Sequence, residues 1–325
     1  MTAKDNTGTK RPLIILTGPT AVGKTALSIG LAKAIQGEII SADSMQVYRG
    51  MDIGTAKITK EQMDGVPHHL IDIMDPSDSF HVMAFQQKCK EAMKDIYARH
   101  KIPILVGGTG FYIQSVLYDI SFTETDTDIE YRQELQKIAE EQGGYVLHAR
   151  LAKIDPEAAD EIHPNNVKRV IRALEFNHQT GEKISIHNEQ ERQKKSPYQF
   201  RYYVLSLPRE ILYDRINRRV DVMRRDGLVD EVKGLLQQGI TPNMVSMQGL
   251  GYKEIIDALQ GSCSFEEAFE RIKRETRHFA KRQFTWFRRE RDVTWIDKET
   301  YENEDAILQY MIKDLKNAYI LPADQ

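Results

Sequence analysis

Cysteine is scarce in this chain of 325 residues, which contains only Cys89 and Cys263. Two cysteines are too few for a disulfide framework or a zinc finger, and they suit a reducing compartment. Long hydrophobic runs are also missing: no apolar stretch approaches the length of a membrane span, and the polar start MTAKDNTGTK has no signal-peptide core. We therefore expect a cytoplasmic protein with a flexible N-terminal tail over residues 1–10.

A marked excess of charge of either sign is absent as well. The chain carries 45 basic and 48 acidic side chains, a net charge of −3, and 41% of its residues are hydrophobic. A globally basic field is thereby excluded, so any nucleic-acid partner must be held by a local patch. The length is sufficient for one large domain or two ordinary ones.

The strongest positive signal is the segment GPTAVGKT, directly after the apolar run Leu13–Leu16. Its form is G-x-x-x-x-G-K-[ST], in which backbone N–H groups surround phosphate oxygens, the lysine adds charge and the final hydroxyl can ligate Mg²⁺. Residues 24–35 show helical spacing, so a helix N-terminus should face the anion. The predicted diphosphate-binding residues are Gly18, Pro19, Thr20, Ala21, Val22, Gly23, Lys24 and Thr25, with Thr25 as the Mg²⁺ ligand.

Short apolar runs alternate with helical patterns in the first third of the chain, which is typical of a parallel α/β sheet. Strands are predicted at 13–16, 38–42, 70–73 and 102–106, and helices at 24–35 and 82–100. In such a sheet the functional groups lie at the carboxyl ends of the strands.

From residue 122 onward the pattern becomes almost entirely helical. The acidic segment TETDTD precedes helical patterns at 129–142, 145–154 and 167–178, the polar segment 188–196 follows, and 199–206 reads as a further strand. We predict an α/β fold with a P-loop NTPase-like parallel sheet core (11–121 and 199–325), an inserted all-helical domain (122–198) and C-terminal helices.

Asp43 directly follows the second predicted strand, near the P-loop in a sheet of this kind. A carboxylate there can hold hydrated Mg²⁺ or act as a general base, and it can equally cap the loop that begins at Asp43. The segment DSMQVYRGMDIGTAK (43–57) mixes aromatic, amide, basic and glycine residues, which favours a binding loop. Both interpretations of Asp43 stay open from its position alone.

The strand at 102–106 ends in Gly107-Gly108-Thr109 and not in an acidic residue. Common nucleotide hydrolases hold Mg²⁺ with an aspartate at such a strand end, so an ATPase or GTPase is disfavoured. The Thr109 hydroxyl can contact a phosphate or a polar substrate, or it can cap the helix that follows. Neither role is favoured by the pattern.

Basic residues are concentrated in two helical regions near the C-terminus. Arg209, Arg215, Arg218 and Arg219 lie on one predicted helix (209–225), where solvated arginines are the ordinary expectation. Residues 271–291 carry a net charge of +7 and interleave four aromatic residues, a pattern that suits RNA. On that helix we predict that Phe279 and Trp286, seven residues apart, face the interior.

Taken together, six segments resemble the tRNA dimethylallyltransferase (tRNA isopentenyltransferase) family of the bacterial type. They span nearly the whole chain: GPTAVGKT (18–25), SADSMQVYRGMDIGTAK (41–57), VGGTGFY (106–112), NNVKRVIRALE (165–175), QGLGYKE (248–254) and AKRQFTWFR (280–288). The resemblance implies that the P-loop grips the diphosphate of dimethylallyl diphosphate. It also implies prenyl transfer to N6 of the adenosine 3′-adjacent to the anticodon.

The resemblance assigns roles to individual residues. Asp43 is implied as the general base, with Lys24, Thr109 and Arg219 as further catalytic residues and Mg²⁺ as the cofactor. The implied partners are dimethylallyl diphosphate and the tRNA anticodon stem-loop, and we expect a monomer. The implied tRNA-binding residues are Asp43, Ser44, Met45, Gln46, Thr109, Arg132, Lys168, Arg169, Arg172, Gln248, Gly249, Gly251, Tyr252, Lys281, Arg282, Gln283, Trp286 and Arg288.

Two other functions fit parts of the pattern. A small-molecule kinase would use ATP on the P-loop and Asp43 as base, but it does not require the large basic surface at 271–291. A non-catalytic RNA-binding protein would use the P-loop as a switch, and loss of the Asp43 carboxylate would then leave its activities intact. Comparing ATP with dimethylallyl diphosphate in tRNA-dependent turnover separates these alternatives.

Overall fold

The computed structural model of this protein describes residues 9–122 and 128–321. Within them a parallel sheet of six strands has the order β3-β2-β4-β1-β5-β6. The strands are β1 (Pro12–Thr17), β2 (Glu38–Ala42), β3 (His68–His69), β4 (Pro103–Gly107), β5 (Gln199–Ser206) and β6 (Val293–Asp297). The predicted α/β fold with a parallel sheet is confirmed.

The central strand β1 is buried on both faces, because Leu13 to Leu16 have no exposed surface. This is the arrangement that a continuous apolar run predicts for a parallel strand covered by helices on both sides. The helices of the sheet-containing unit are α1 (Lys24–Ile35), α2 (Lys60–Met63), α3 (Val82–Ala98), α4 (Gly110–Leu117), α10 (Arg209–Arg225), α11 (Leu228–Gln237), α12 (Tyr252–Leu259), α13 (Phe265–Phe287) and α14 (Glu304–Asn317).

One face of the sheet packs against apolar side chains from α1, α10 and α14. Leu31 of α1, Ile216 of α10 and Met311 of α14 join Ile14 and Leu16 in a single buried cluster. Burial of this apolar surface contributes about 25 cal/mol per Å² removed from water. The same packing determines which face of α10 points toward the P-loop.

A second compact unit comprises residues Tyr118–Ser196, against predicted limits of 122 and 198. Its helices are α5 (Ile129–Gln142), α6 (Gly144–Ile154), α7 (Pro156–Glu161), α8 (Val167–Thr180) and α9 (Ile184–Gln193). The unit has its own core, which includes Leu135, Leu147, Leu151, Val170 and Leu174. Residues 123–127 of the predicted acidic linker and residues 1–8 of the predicted tail lie outside the described residues.

Two local predictions were wrong, and one strand was missed. The strand predicted at 70–73 is the two-residue β3 at His68–His69, because Leu70 and Asp72 have positive φ angles of 62° and 55° that end extended structure. Residues 188–193 of the predicted polar linker are helical, as part of α9. Strand β6 was not predicted, although its sequence VTWID has the β-branched and aromatic residues of a strand.

The described residues contain no helix that is both long and apolar enough to span a membrane.

Candidate active site

Three loops meet at the carboxyl edge of the sheet, after β1, β2 and β4. The backbone N–H of Thr109 donates to the carbonyl of Ala42 (3.2 Å), and the Thr17 hydroxyl donates to the carbonyl of Gly107 (2.6 Å). These bonds join the loop after β4 to the ends of β2 and β1. The arrangement brings the P-loop, Asp43 and Thr109 to one edge of the sheet, as their positions in the sequence predict.

The P-loop requires glycine at both ends. Gly18 has a φ of 143°, and a Cβ there would lie 2.6 Å from the Leu205 carbonyl oxygen; Gly23 has a φ of 95°. Helix α1 then begins at Lys24 without a side-chain cap and without an acidic residue in its first turn. The free N–H groups and the partial positive charge of this terminus therefore face the loop unopposed, which suits an anion.

Lys24 folds back over the P-loop, where its ammonium donates to the carbonyls of Gly18 and Pro19 at 2.9 Å each. Burial and the nearby guanidinium of Arg219 lower the pKa of Lys24 to about 7, although Asp43 acts in the opposite direction. The two cations Lys24 and Arg219 lie close together, and the carboxylate of Asp43 interacts electrostatically with both. An arriving polyanion would relieve the repulsion between them.

Two arginines of α10 lie near the P-loop. Arg215 Nη1 would be 3.7 Å from a Cβ on Gly23, and Arg219 reaches Thr20. Its Nη1 lies 3.4 Å from the Thr20 hydroxyl oxygen, and burial lowers its pKa while Asp43 raises it. Leu212, Ile216 and Val220 turn the apolar side of α10 to the core. On the other side, Arg218 is exposed and pairs with Asp214 at 2.9 Å.

Asp43 uses one of its carboxylate oxygens for the loop. Oδ1 accepts from the backbone N–H of Met45 (2.8 Å) and of Gln46 (3.3 Å), which is the turn-capping role. Oδ2 has no hydrogen-bond partner among the described residues. Capping and proton acceptance are thus compatible in one carboxylate, each using a different oxygen.

Thr109 precedes α4 and its carbonyl accepts from Tyr112 N–H at 3.0 Å. Its half-buried hydroxyl makes no hydrogen bond to the described part of the chain, so it does not act as a side-chain helix cap. The hydroxyl stays available for a ligand at the sheet edge.

Gln283 connects two of the site loops from helix α13. Its Oε1 accepts from the Thr20 N–H (2.9 Å), and its Nε2 donates to the Gly108 carbonyl (3.0 Å). The side chain is only 6% exposed, and a Cβ on Gly108 would lie 2.2 Å from Nε2. The structure thus gives Gln283 a role in holding the P-loop, while its predicted contact with tRNA stays a prediction.

Two of the implied tRNA-binding residues, Met45 and Gly249, are in contact with each other. A Cβ on Gly249 would lie 2.5 Å from the Met45 methyl group, so their two segments approach closely here. The Gln46 side chain donates to the carbonyls of Thr55 and Ala56 at 3.3 and 3.4 Å. Tyr252 is fully buried at the start of α12.

In the basic segment 271–291, some cations form ion pairs with acidic side chains and others do not. Arg271, Lys273 and Arg274 form ion pairs with acidic side chains at 2.7 to 3.1 Å. Four exposed cations farther along have no ion-pair partner among the described residues: Lys281, Arg282, Arg288 and Arg289. Three of these four, together with His278, Thr285 and Trp286, line a surface groove.

Phe279 and Trp286 of α13 were predicted to face the interior but lie at its margin. Phe287 is fully buried, together with Ala280, whereas Phe279 and Trp286 are only half-buried. The inward face has the spacing 280, 283 and 287, so residues one position earlier lie at its margin. Trp286 packs against Gly110, where a Cβ would be 2.2 Å from the indole.

In the helical unit, Lys168, Arg169 and Arg172 share an exposed face of α8 and have no ion-pair partner within the described residues. Arg132 is different, because its guanidinium forms two hydrogen bonds of 2.6 and 2.7 Å with the buried carboxylate of Glu175. This pair ties α5 to α8, and a contact between Arg132 and tRNA stays a prediction.

Two side chains at this edge were missed from the sequence. Glu231 of α11 binds the loop at 52–54, and the Lys298 ammonium, paired with Glu304 at 2.6 Å, lies 2.7 Å from where a Gly23 Cβ would be. Both residues resemble ordinary surface charges in the sequence, and no local motif marks them.

Comparison with known proteins gives two family matches and many relatives. A family described as IPP transferase matches residues 46–290, and one described as isopentenyl transferase matches residues 12–79. A tRNA dimethylallyltransferase of Lachnoclostridium phytofermentans is 58% identical over 311 residues, covering 96% of this chain and 99% of that protein. One of Bacillus pumilus is 53% identical over 289 residues, covering 89% and 90%.

Solved structures agree with the sequence matches. The tRNA isopentenylpyrophosphate transferase of Bacillus halodurans is 47% identical, with a TM-score of 0.71 over 96% of this chain and 99% of that one. A eukaryotic dimethylallyltransferase described as acting on tRNA is 31% identical, with a TM-score of 0.79 over 97% of this chain and 81% of that one.

Proposed function

Because this chain belongs to the IPP transferase family, we propose that it is a tRNA prenyltransferase that transfers the dimethylallyl group of dimethylallyl diphosphate to N6 of the adenosine 3′-adjacent to the anticodon. The observation that carries the proposal is one edge of the sheet that combines an anion site with a free carboxylate oxygen. The cations Lys24 and Arg219 lie beside the P-loop, and Asp43 faces them from the end of β2. Such a site can hold a leaving group and deprotonate a nucleophile.

Lys24, Arg219 and the first N–H groups of α1 neutralise the diphosphate as the allylic C–O bond breaks. Stabilisation of developing charge by fixed donors is usually the largest single contribution to catalysis. The diphosphate also raises the low pKa of Lys24 by placing negative charge beside it, so the ammonium is retained when the donor is bound.

The residues present fit a Mg²⁺ ion that is shared with the diphosphate. The described residues contain no group of three His, Cys, Asp or Glu side chains that could hold a metal by themselves. Mg²⁺ commonly keeps several waters and binds through one or two protein oxygens together with substrate phosphates, for which the exposed Thr25 hydroxyl is suited. When bound, the ion would supply Lewis-acid stabilisation of the leaving diphosphate.

Asp43 accepts the proton that N6 loses as the new C–N bond forms. The exocyclic amine is a weak nucleophile because its lone pair is delocalised into the purine, so a positioned base is useful. Oδ1 remains bonded to the loop while Oδ2 takes the proton. The Thr109 hydroxyl, at the neighbouring strand end, contacts the diphosphate or the acceptor base.

The acceptor adenosine must leave its stack to reach this edge, at a cost of a few kcal/mol. Segments 43–46 and 248–254 hold the flipped base and its neighbours, and the unpaired cations Lys281, Arg282, Arg288 and Arg289 bind the phosphate backbone. The exposed face of α8 and Arg132 give the helical unit a further surface for tRNA. We propose that the enzyme acts as a cytoplasmic monomer.

The test combines purified protein, Mg²⁺, dimethylallyl diphosphate and unmodified tRNA, followed by mass spectrometry of the nucleosides. We expect N6-dimethylallyladenosine at the position after the anticodon, and no tRNA-dependent turnover of ATP. Absence of the prenylated nucleoside from a folded, tRNA-binding preparation would refute the proposal.

Asp43→Asn sharpens the same experiment, because the amide keeps an oxygen for the Met45 N–H but cannot accept the proton. We expect kcat to fall by about 10²–10⁴-fold with tRNA binding largely kept. Asp75→Asn is the matched control, since Asp75 caps a comparable turn at Ser77 (3.0 Å). Equal activities of the two variants would exclude Asp43 as the base.

A further inference from the structure

Glu231 of α11 is saturated with hydrogen bonds from a different part of the chain. Its carboxylate accepts from the backbone N–H groups of Asp52 (2.8 Å), Ile53 (2.7 Å) and Gly54 (3.0 Å). It also accepts from the Tyr252 hydroxyl at 2.7 Å. Four donors converge on one half-buried carboxylate, which is far more than a solvated helix acid requires.

One of these donors, Tyr252, belongs to a segment that the proposed function places around the acceptor base. The three N–H groups lie farther along the loop 43–57, which begins with the other such segment, 43–46. The Tyr252 ring lies directly against Gly54, where a Cβ would be 2.5 Å from ring carbons. Burial and the adjacent Glu231 carboxylate raise the pKa of Tyr252, so its hydroxyl remains a donor at all working pH values.

A short series of contacts leads from this carboxylate to the reacting groups. The carbonyls of Thr55 and Ala56, which follow the three bound N–H groups, accept from the Gln46 side chain. The Gln46 N–H in turn donates to Asp43 Oδ1 at 3.3 Å. Glu231 makes no contact with Asp43 itself, so any influence on the reaction is indirect.

We propose that Glu231 is a positioning residue that aligns the loop 43–57, which begins with the acceptor-binding segment 43–46, with the acceptor-binding segment 248–254 for the RNA. This inference rests on the proposed function and adds a residue to its acceptor side. A carboxylate is required because backbone N–H groups, which can only donate, face both of its oxygens; an amide at this position would direct its NH₂ group at one of these N–H groups in either orientation. The diphosphate side, built from the P-loop and Arg219, has no hydrogen bond to Glu231 in the described residues.

The test measures two constants separately for Glu231→Gln: the Kd for an anticodon stem-loop RNA and the Kd for dimethylallyl diphosphate. Hydrogen bonds to charged groups contribute enough that we expect RNA affinity and kcat/KM for tRNA to fall by about tenfold or more. The Kd for the donor should stay within about twofold of the wild type. Asp230→Asn is the control, because Asp230 is the next residue, is 84% exposed and pairs only with Lys233.

Tyr252→Phe removes one of the four donors and should cause a smaller loss of RNA affinity in the same direction. Equal loss of RNA and donor affinity in Glu231→Gln would overturn the inference, because it indicates general unfolding. No loss of either affinity would also overturn it, because the Glu231 contacts would then have no effect on binding. RNA binding does not require turnover. If the wild type binds RNA but forms no prenylated product, the proposed function fails, while a selective RNA-binding defect of Glu231→Gln still supports the positioning role.

Discussion

Lys24 should make donor binding strongly dependent on pH. Its pKa is about 7 in the free protein, because burial and Arg219 disfavour the ammonium form. Only that form attracts the diphosphate, so the protein must take up a proton to bind at higher pH. The apparent Kd should therefore be flat well below pH 7 and rise above it, by about tenfold between pH 6 and pH 8.

The assay is calorimetric titration with dimethylallyl diphosphate at constant ionic strength, in buffers of different ionisation enthalpy. Proton uptake on binding should be about half a proton at pH 7 and about nine-tenths at pH 8. The ligand also titrates, so the quantity to compare is the ratio of the wild-type Kd to that of Lys24→Arg, whose guanidinium stays charged. A ratio that is constant across this range would refute the reasoning.

The same pKa predicts an effect on folding. The unfolded chain, with the ordinary lysine pKa of 10.5, binds more protons than the folded chain between pH 7 and pH 10.5. The free energy of unfolding should therefore rise with pH through this window as far as Lys24 is concerned. Lys24→Met should remove that slope in urea unfolding series, and an unchanged slope would contradict the lowered pKa.

Three further predictions follow from other parts of the structure. Gln283→Ala leaves the Thr20 N–H and the Gly108 carbonyl without their partner, which should lower the free energy of unfolding by roughly 1–3 kcal/mol. It should also weaken binding of dimethylallyl diphosphate in titrations. Unchanged donor affinity would show that this bridge is dispensable. Burial alone would raise the pKa of Glu38, but hydrogen bonds from Arg99, His69 and Lys101 outweigh it and lower the pKa to about 2. The stability that the Glu38 carboxylate contributes is therefore fully present above pH 4.5, and it is lost as the pH falls toward 2. Glu38→Gln should flatten that acid-induced loss in thermal melts, by roughly 2 kcal/mol. Replacing Lys281 or Arg282 by alanine should reduce the slope of log K against log salt for tRNA by up to about one unit each, and an unchanged slope would exclude a phosphate contact.

Much of the site was predictable because its motifs are local. GPTAVGKT joins a strand, a loop and a helix in one continuous segment, so its conformation depends on residues next to each other in the chain. The position of Asp43 was predictable for the same reason, since Asp43 directly follows β2. The positions of Gly107–Thr109 likewise follow from the end of β4. The predicted β3, in contrast, was wrong because two residues with positive φ interrupt an apolar run that otherwise resembles a strand.

Arg219 shows how the structure resolves what spacing cannot. Arg209, Arg215, Arg218 and Arg219 of α10 have similar surroundings in the sequence, and only the family resemblance indicated Arg219. In the structure, packing of Ile216 and Val220 against the core turns Arg219 to the P-loop and leaves Arg218 at the surface. The choice among them depends on how the helix is rotated against the sheet.

By itself, the sequence determined the fold class and the family, and it indicated the candidate phosphate-binding loop and the base candidate Asp43, because each rests on short segments with their own signature. Only the tertiary structure decided which side chains link those segments. Gln283 meets Thr20 across 263 residues, and Glu231 meets Ile53 across 178. Such contacts arise from the packing of whole helices, so no pattern in the neighbouring residues of the sequence predicts them.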